Sequence, residues 1–352
     1  MALRLGLVGC GAIARRAHLP AFKAAGPDEV DVVAFASRTR SSAEAAAREW
    51  GSGRVEDNWQ QLVESPDVDA VDICSPNRYH AEVAVAAAHA GKHVLVEKPM
   101  ACTIAEADAM MTAAEQSGVV LSIAHNLRFA SPFFTARQVV AGGRLGRVVA
   151  FRAAFGHGGP QLWAPEAGWF FDPEQSGGGA LIDLGIHVAD LLRFVLGDDV
   201  VEVSALLSML RPVGRPGQEV DEAAQVVLRM AGGAIGSFHA SWAACPGPDH
   251  QLTVFGSEAT LHLDGRTPPT LLRPDAKAEP VALEKPPVGL YAGFVRACLG
   301  QQPAPVSAAD GRAALAVVEA AYGSAAAGTV IAPEAPHAPQ APRNQASPPA
   351  GT

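Results

Sequence analysis

Positive charge is scarce in this chain: 27 Lys and Arg stand against 36 Asp and Glu, a formal net charge of −9 at pH 7. Nucleic acid and anionic membrane surfaces both reward excess cation, so neither is expected as the main partner. Cysteine is scarce as well. The five cysteines (Cys10, Cys74, Cys102, Cys245, Cys298) are scattered and form no C-x-x-C pair. That argues against a zinc ribbon or a disulfide framework and suits a reducing, cytoplasmic setting. Long apolar runs are missing too. The opening MALRLGLVGCGAIARR is too short and too glycine-punctuated for a signal peptide or a spanning helix. No fixed-period repeat argues for a solenoid. What remains is a chain of 352 residues, 49% hydrophobic and 18% charged, with enough apolar material to bury the cores of two domains.

In the first third, short apolar runs alternate with Ala-rich helical stretches: LRLGLVG, VDVVAFAS, DAVDICSP, HVLVEKP and VVLSIAH, each separated by a helix. Strands apolar on both faces and spaced by helices predict a parallel sheet covered on both sides. The turn after the first strand is Gly9-Cys10-Gly11-Ala12-Ile13-Ala14, a G-x-G-x-x-A pattern. Directly after a strand and opening a helix, it has the context of a dinucleotide-binding turn. Gly9 permits the tight turn, and Gly11 lets backbone amides approach a pyrophosphate. The second strand ends in FASRTR, with Ser37 and Arg38 and no acid. An NAD site usually places Asp or Glu there, whereas Arg38, with Arg40 near it, suits a 2′-phosphate. NADP is therefore favoured over NAD.

Downstream, SGGGALIDLGIHVADLLRF carries Asp183 and His187 on one otherwise apolar helix. At i and i+4 the two side chains share a face, and Asp190 continues the stripe. Leu184, Val188, Leu191 and Val195 form the face that packs inward. A polar stripe beside a buried face is where a cleft wall would lie.

The stretch from Asp69 to Met100 resembles the glucose-fructose oxidoreductase, inositol dehydrogenase and rhizopine-catabolism family, written Gfo/Idh/MocA. Matching pieces are Ser75-Pro76-Asn77 with His80, Gly91-Lys92-His93, and Glu97-Lys98-Pro99. HNLRF, GGRLGRV, the triple-glycine helix and GSFHASW add to it, so that the resemblance runs to about Ala327. It implies an oxidoreductase of two domains: an α/β Rossmann dinucleotide-binding domain, then an α+β domain with an open, mainly antiparallel sheet. It also implies a catalytic trio of Lys98, Asp183 and His187, and a Pro99 preceded by a cis peptide. His187 would handle the proton near neutral pH, Lys98 would stabilise alkoxide character, and Asp183 would orient the imidazole or bind a neighbouring hydroxyl. Gly9, Gly11, Ala12, Ile13, Ser37, Arg38, Ser75, Pro76, Asn77, His80, Glu97, Lys98, Asn126, Trp169 and Tyr291 are the residues expected around the cofactor.

The second half agrees from its residues alone. From Arg147 strands follow one another (RVVAFRAAF, VVEVSALLSML, AAQVVLRM, AIGSFHASW, HQLTVFG, ATLHLD), the pattern of an α+β domain. The expected division is 1–125, 126–332 and a Pro/Ala-rich, disordered tail over 333–352. The exposed face of such a sheet needs a cover, and the expectation is a homodimer or homotetramer formed through it. Gly177, Gly178 and Gly179 are expected to bring backbone close to a ligand. No metal site is expected, since no cysteine cluster or H-E-x-x-H completes D-x-x-x-H. Sequence and resemblance together point to hydride transfer between nicotinamide and a carbinol or keto carbon of a sugar, inositol or related polyol. Two other readings stay open: a glycoside hydrolase that retains NAD, and a non-catalytic sugar-sensing regulator.

Overall fold

The computed structural model describes residues 2–209, 213–215, 218–243, 249–265, 267–274 and 276–335. Cys245 and residues 336–352 of the tail lie outside them. The first sheet is built from β1 (Leu3–Val8), β2 (Val30–Ala36), β3 (Arg54–Val55), β4 (Ala70–Ile73), β5 (His93–Val96) and β6 (Leu121–Ile123). Their order is β3-β2-β1-β4-β5-β6 and every pairing is parallel. The order reverses between β1 and β4, so the carboxyl ends of those strands open a crevice where ligands of such folds bind. Helices α1 (Leu19–Ala25), α2 (Arg40–Trp50), α3 (Trp59–Glu64), α4 (His80–His89) and α5 (Ile104–Ser117) connect and cover the strands. All four residues of β4 are buried, as a doubly covered parallel strand requires.

α1 does not begin regularly. Residues Ala14–His18 form a π-helical turn, closed by Leu19 N–H donating to Ala14 O. Pro20 lacks the N–H that would return to Arg16, and the wider turn accommodates that gap. Its effect is to rotate His18 inward, where the ring is fully buried.

α6 (Ser131–Ala141) leads into the second sheet, whose members among the described residues are β7 (Val148–Gly156), β8 (Val200–Ser208), β11 (Ala223–Met230), β12 (Ile235–Ser241), β13 (Asp249–Gly256), β14 (Thr260–Leu263), β15 (Thr270–Leu272) and β16 (Glu279–Pro280). A small hairpin, β9 (Val213–Arg215) with β10 (Gln218–Val220), stands apart. The large sheet runs β16-β15-β14-β13-β7-β12-β11-β8. It is antiparallel except where β12 lies parallel to β7. The chain leaves β7 for α7 (Pro173–Ser176) and α8 (Ile186–Leu196), and returns through β8 and β11 before β12 docks. α9 (Leu290–Cys298) and α10 (Ala308–Ala327) follow. β11 alternates buried and exposed residues along its length, so one face packs on helices and the other is open. Val149, Leu206, Val227 and Ile235 are exposed on its strands. No helix among the described residues is long and apolar enough to cross a membrane.

α10 and the residues just before it tie the halves together. Arg312, 1% exposed, donates to Asp108 of α5 at 2.6 Å, and Ser122 Oγ on β6 donates to Val306 O at 2.8 Å.

The three glycines before α8 have a packing role. Gly179 N–H donates to Asp221 Oδ1 at 2.8 Å and Leu181 N–H to Asp221 Oδ2 at 2.7 Å. A Cβ on Gly179 would stand 1.9 Å from Asp221 O, and one on Gly178 would stand 2.2 Å from Tyr322 Oη. The expected approach to a ligand is thus replaced by an approach to Asp221 and Tyr322, which seat the start of the helix. Gly179→Ala is expected to cost about 3 kcal/mol or more, or to prevent folding. Gly168→Ala, whose Cβ would meet nothing within 4 Å, is expected to stay within about 0.5 kcal/mol. Urea unfolding of the two variants measures the difference, and equal midpoints would remove the packing argument.

Candidate active site

At the carboxyl ends of β1, β4 and β5 lies a cleft of about 320 Å³ that reaches across to the second sheet. Lys98 enters it one residue beyond the Glu97 that follows β5, and the Lys98–Pro99 peptide is cis. Its ammonium donates to Asp183 O and to Asp183 Oδ1, both at 2.9 Å. Asp183 also accepts from Trp242 Nε1 at 2.9 Å, and His157 Nε2 stands 3.5 Å from Asp183 Oδ2. His157 Nδ1 accepts from Gly159 N–H, which leaves the ring proton on Nε2, aimed at the carboxylate. Burial alone would raise the Asp183 carboxyl, but Lys98 and His157 outweigh it and hold the group well below the usual carboxylate range.

This geometry changes the expected pairing. Asp183 and His187 were to meet at helical spacing, yet Leu181–Gly185 is itself a π-helical turn before α8 begins at Ile186. Asp183 turns to Lys98 and Trp242, and the His187 ring makes no hydrogen bond to the described residues. Asp183 therefore orients the lysine instead of the imidazole. His187 is only partly covered and faces the cleft. Its imidazole is held well below the ordinary histidine value, first by burial, then by the Lys98 ammonium and His125. Asp190 leaves the stripe altogether. It is buried and receives Arg128 in a fork of 2.6 and 2.9 Å.

Of the expected cofactor residues, Gly11, Ala12, Ile13, Ser75, Asn77, His80, Glu97, Lys98, Asn126 and Trp169 line the cleft. Gly9 lies beneath it at φ +92°, where a Cβ would strike the Cys74–Ser75 backbone at 2.5 Å. Pro76 lies just behind the lining, at the start of the short turn Asn77–Tyr79. Ser37 and Arg38 follow the end of β2 and are not among the residues that line the cleft. Arg38 is exposed with no partner among the described residues, while Arg40 is engaged with Glu44 and Asp57. Tyr291 is the exception. Its ring packs on His18 and Phe22, with centroids 4.9 and 5.2 Å away, and does not reach the cleft.

The cleft fits a dinucleotide in two respects. A Cβ on Gly11 would meet nothing within 4 Å, so the glycine leaves space over the helix start that packing does not need. Ser75 Oγ is buried without a hydrogen-bond partner among the described residues. On the far wall Trp169 stacks on Phe170 at 3.9 Å, and Trp163 meets the same ring edge-on at 5.3 Å. Arg16 Nη1 donates to Trp163 O at 2.7 Å and fastens this wall to α1.

His18, His157 and His250 carry no local sequence signal of a function. His157, between Phe-Gly and Gly-Gly-Pro, was legible only as a loop residue, and His250 as one position in a strand. Among the described residues one group could in principle hold a metal, His18 with Asp72 and Cys74. There His18 Nδ1 already faces both Asp72 oxygens at 2.9 and 3.0 Å. The three groups satisfy one another by hydrogen bonding.

Residues 3–125 match the model of the oxidoreductase family's NAD-binding Rossmann fold, and residues 133–262 match the GFO/IDH/MocA C-terminal domain. A 1,5-anhydro-D-fructose reductase of Ensifer adhaerens is 38% identical over 238 residues, which is 67% of this chain and 68% of that one. A levoglucosan dehydrogenase of Pseudarthrobacter phenanthrenivorans is 30% identical over 289 residues, 74% and 73% of the two chains. A solved levoglucosan dehydrogenase in complex with NADH and levoglucosan superposes with a TM-score of 0.84 at 26% identity, covering 95% of this chain and 100% of its own.

Lys98→Met leaves Asp183 buried without its cation and is expected to cost about 2–4 kcal/mol at pH 7. A carboxyl held low in the fold stabilises fully above its unfolded pKa of about 3.9, and that gain is lost as pH falls toward the folded value. The variant lacks the gain, so its deficit should shrink between pH 7 and pH 3. Urea midpoints at both pH values decide it, and an unchanged deficit would contradict the pairing.

Proposed function

The chain belongs to the Gfo/Idh/MocA family of oxidoreductases, and from that premise we propose that it oxidises or reduces a sugar, inositol or related polyol. Lys98 and His187 handle the proton, and Asp183 holds the lysine in place. As a member of this family the chain is an NAD(P)-dependent dehydrogenase or reductase acting on CH–OH groups. The observation that carries the proposed roles is the anchoring of Lys98. Of the three ammonium donors, two are taken by Asp183, and the third has no acceptor among the described residues. A substrate oxygen in the cleft is the acceptor that completes the set, and it would gain stabilisation as it becomes alkoxide-like.

His187 supplies the other half. A neutral imidazole with no hydrogen bond to the described residues can take the carbinol proton, and its lowered pKa keeps it neutral at pH 7. A bound nicotinamide supplies the hydride acceptor or donor. Asn126, His157 and His250 add polar positions around the cleft, while Trp163 and Trp169 give an aromatic wall. That mix suits a ring with hydroxyls on its rim and C–H groups on its face. The reductase and dehydrogenase relatives are named for sugars, which supports the same substrate class.

For the cofactor we propose NADP over NAD on Ser37 and Arg38, since the exposed Arg38 guanidinium, without a partner among the described residues, is available for a 2′-phosphate. The open sheet face with Val149, Leu206, Val227 and Ile235 supports a homodimer or homotetramer.

Titration of nicotinamide fluorescence should show NADPH bound more tightly than NADH. Arg38→Ala should weaken NADPH alone by roughly 10–100-fold, the worth of a charge-assisted contact. Preference for NADH, unmoved by the substitution, would overturn the cofactor assignment. In a sugar and polyol screen, Lys98→Met and His187→Asn should each lower kcat by roughly 10²–10⁴-fold, with dinucleotide affinity kept. For carbinol oxidation the base must be neutral, so kcat/KM should hold its plateau down through pH 6.5 and fall only below it. An acid limb above pH 7 would remove His187 from that role.

A further inference from the structure

Beneath the cleft, out of reach of any substrate, His18 bridges the two carboxylates Asp72 and Glu97. His18 Nδ1 faces Asp72 Oδ2 at 2.9 Å, and Nε2 faces Glu97 Oε1 at 2.8 Å. All three residues are buried. Glu97 is held at both oxygens, because Oε2 accepts the Lys98 backbone N–H at 2.9 Å. One unbroken series of contacts thus runs from the π-helical turn behind Gly11 to the lysine of the cleft.

We propose that His18 is a positioning residue: as an imidazolium clamped between Asp72 and Glu97, it fixes the Glu97 carboxylate and, through it, the backbone from which Lys98 projects. This rests on the reading of Lys98 as a proton-handling group.

Hydrogen-bond accounting carries the charge state. Ionised carboxylates only accept, so a ring that meets one at each nitrogen must donate from both. A neutral ring would turn a lone pair toward a buried carboxylate, at a cost of several times an ordinary hydrogen bond. The ionisable groups facing the ring are Asp72 and Cys74 at the end of β4, Glu97 at the end of β5 and Tyr291 on α9. Burial pushes the Cys74 thiol and the Tyr291 hydroxyl up, so both stay neutral and only the two carboxylates balance the ring. Burial opposes the charge on His18, but the Asp72 carboxylate raises its pKa well above the ordinary value. Burial likewise works against the Glu97 charge, and the bond from His18 reverses it, lowering that carboxyl.

The position depends on the helix start. In a regular helix the residue before Leu-Pro would be turned elsewhere, whereas the wide turn over Ala14–His18 sets the ring under β4 and β5. The same turn carries Arg16, whose bond to Trp163 O holds the aromatic wall. The cofactor-side helix, the wall and the lysine are thereby mechanically joined.

The test uses the whole chain labelled with 15N-histidine and 13C-lysine. At pH 7.5 one histidine is expected with both ring nitrogens protonated, and His18→Gln should remove that signal. His18→Gln should also shift the Lys98 Cε resonance, assigned by Lys98→Arg among only five lysines. Should His18→Gln fail to fold, Glu97→Gln keeps the shape while removing one charge. It should lower the titration midpoint of His18 and shift Lys98 in the same way. A wild-type His18 with one protonated nitrogen, or a folded variant with Lys98 unmoved, would overturn the proposal. NADPH titration of the same samples separates the two ideas. Failure of the wild type to bind any dinucleotide would sink the proposed function, while the NMR result would still decide the clamp.

Discussion

The ion pair between Lys98 and Asp183 is the interaction on which the rest of the molecule depends. Lys98 comes from the end of a strand in the parallel sheet, and Asp183 from the turn that starts a helix under the other sheet. Their side chains are 15% and 6% exposed, so each would be costly without the other. Joining them requires the two halves to meet in one register. The features around the pair serve that requirement: the Trp242 indole at the end of β12 and the His157 ring after β7 both address the same carboxylate. A buried charge pair of this kind contributes little net stability, but it leaves the halves few alternative ways to dock.

Unusual backbone gathers at the same place. Two π-helical turns, Ala14–His18 and Leu181–Gly185, flank the cleft, one on each side of the domain contact. Each rotates a polar side chain, His18 or Asp183, away from the direction that a regular helix would give it. Regular helices cover the sheets, and irregular ones aim the chemistry.

This division explains what could be read from the sequence. Local signals were legible: the Gly9-x-Gly11 turn, the alternating strands and helices before residue 125, the successive strands after Arg147 and the Glu97-Lys98-Pro99 turn. The partner of Asp183 was not, because i,i+4 spacing assumes a turn of 3.6 residues and the chain widens there. Nor was the reason for Gly179, which lies in Asp221, 42 residues away in sequence. The resemblance places Tyr291 near the cofactor, yet it packs on His18. Its position depends on how α9 docks, which no local pattern encodes. His18 itself reads as one more residue of an amphipathic helix until β4 and β5 are placed beside it.

α10 and the residues just before it bear on how the protein comes into being. β6 closes the edge of the first sheet, but its Ser122 hydroxyl and Ile123 N–H both donate to Val306 O, and a Cβ on Gly311 would stand 2.5 Å from the Ile123 side chain. The half that carries the first sheet is made before Val306 and so lacks part of its own edge until some 180 further residues have been added, as the 184-residue separation of Ser122 and Val306 shows. Domains usually fold as units in the order of synthesis. In this chain the nucleotide-binding half stays open at that edge until the segment around Val306 has been made.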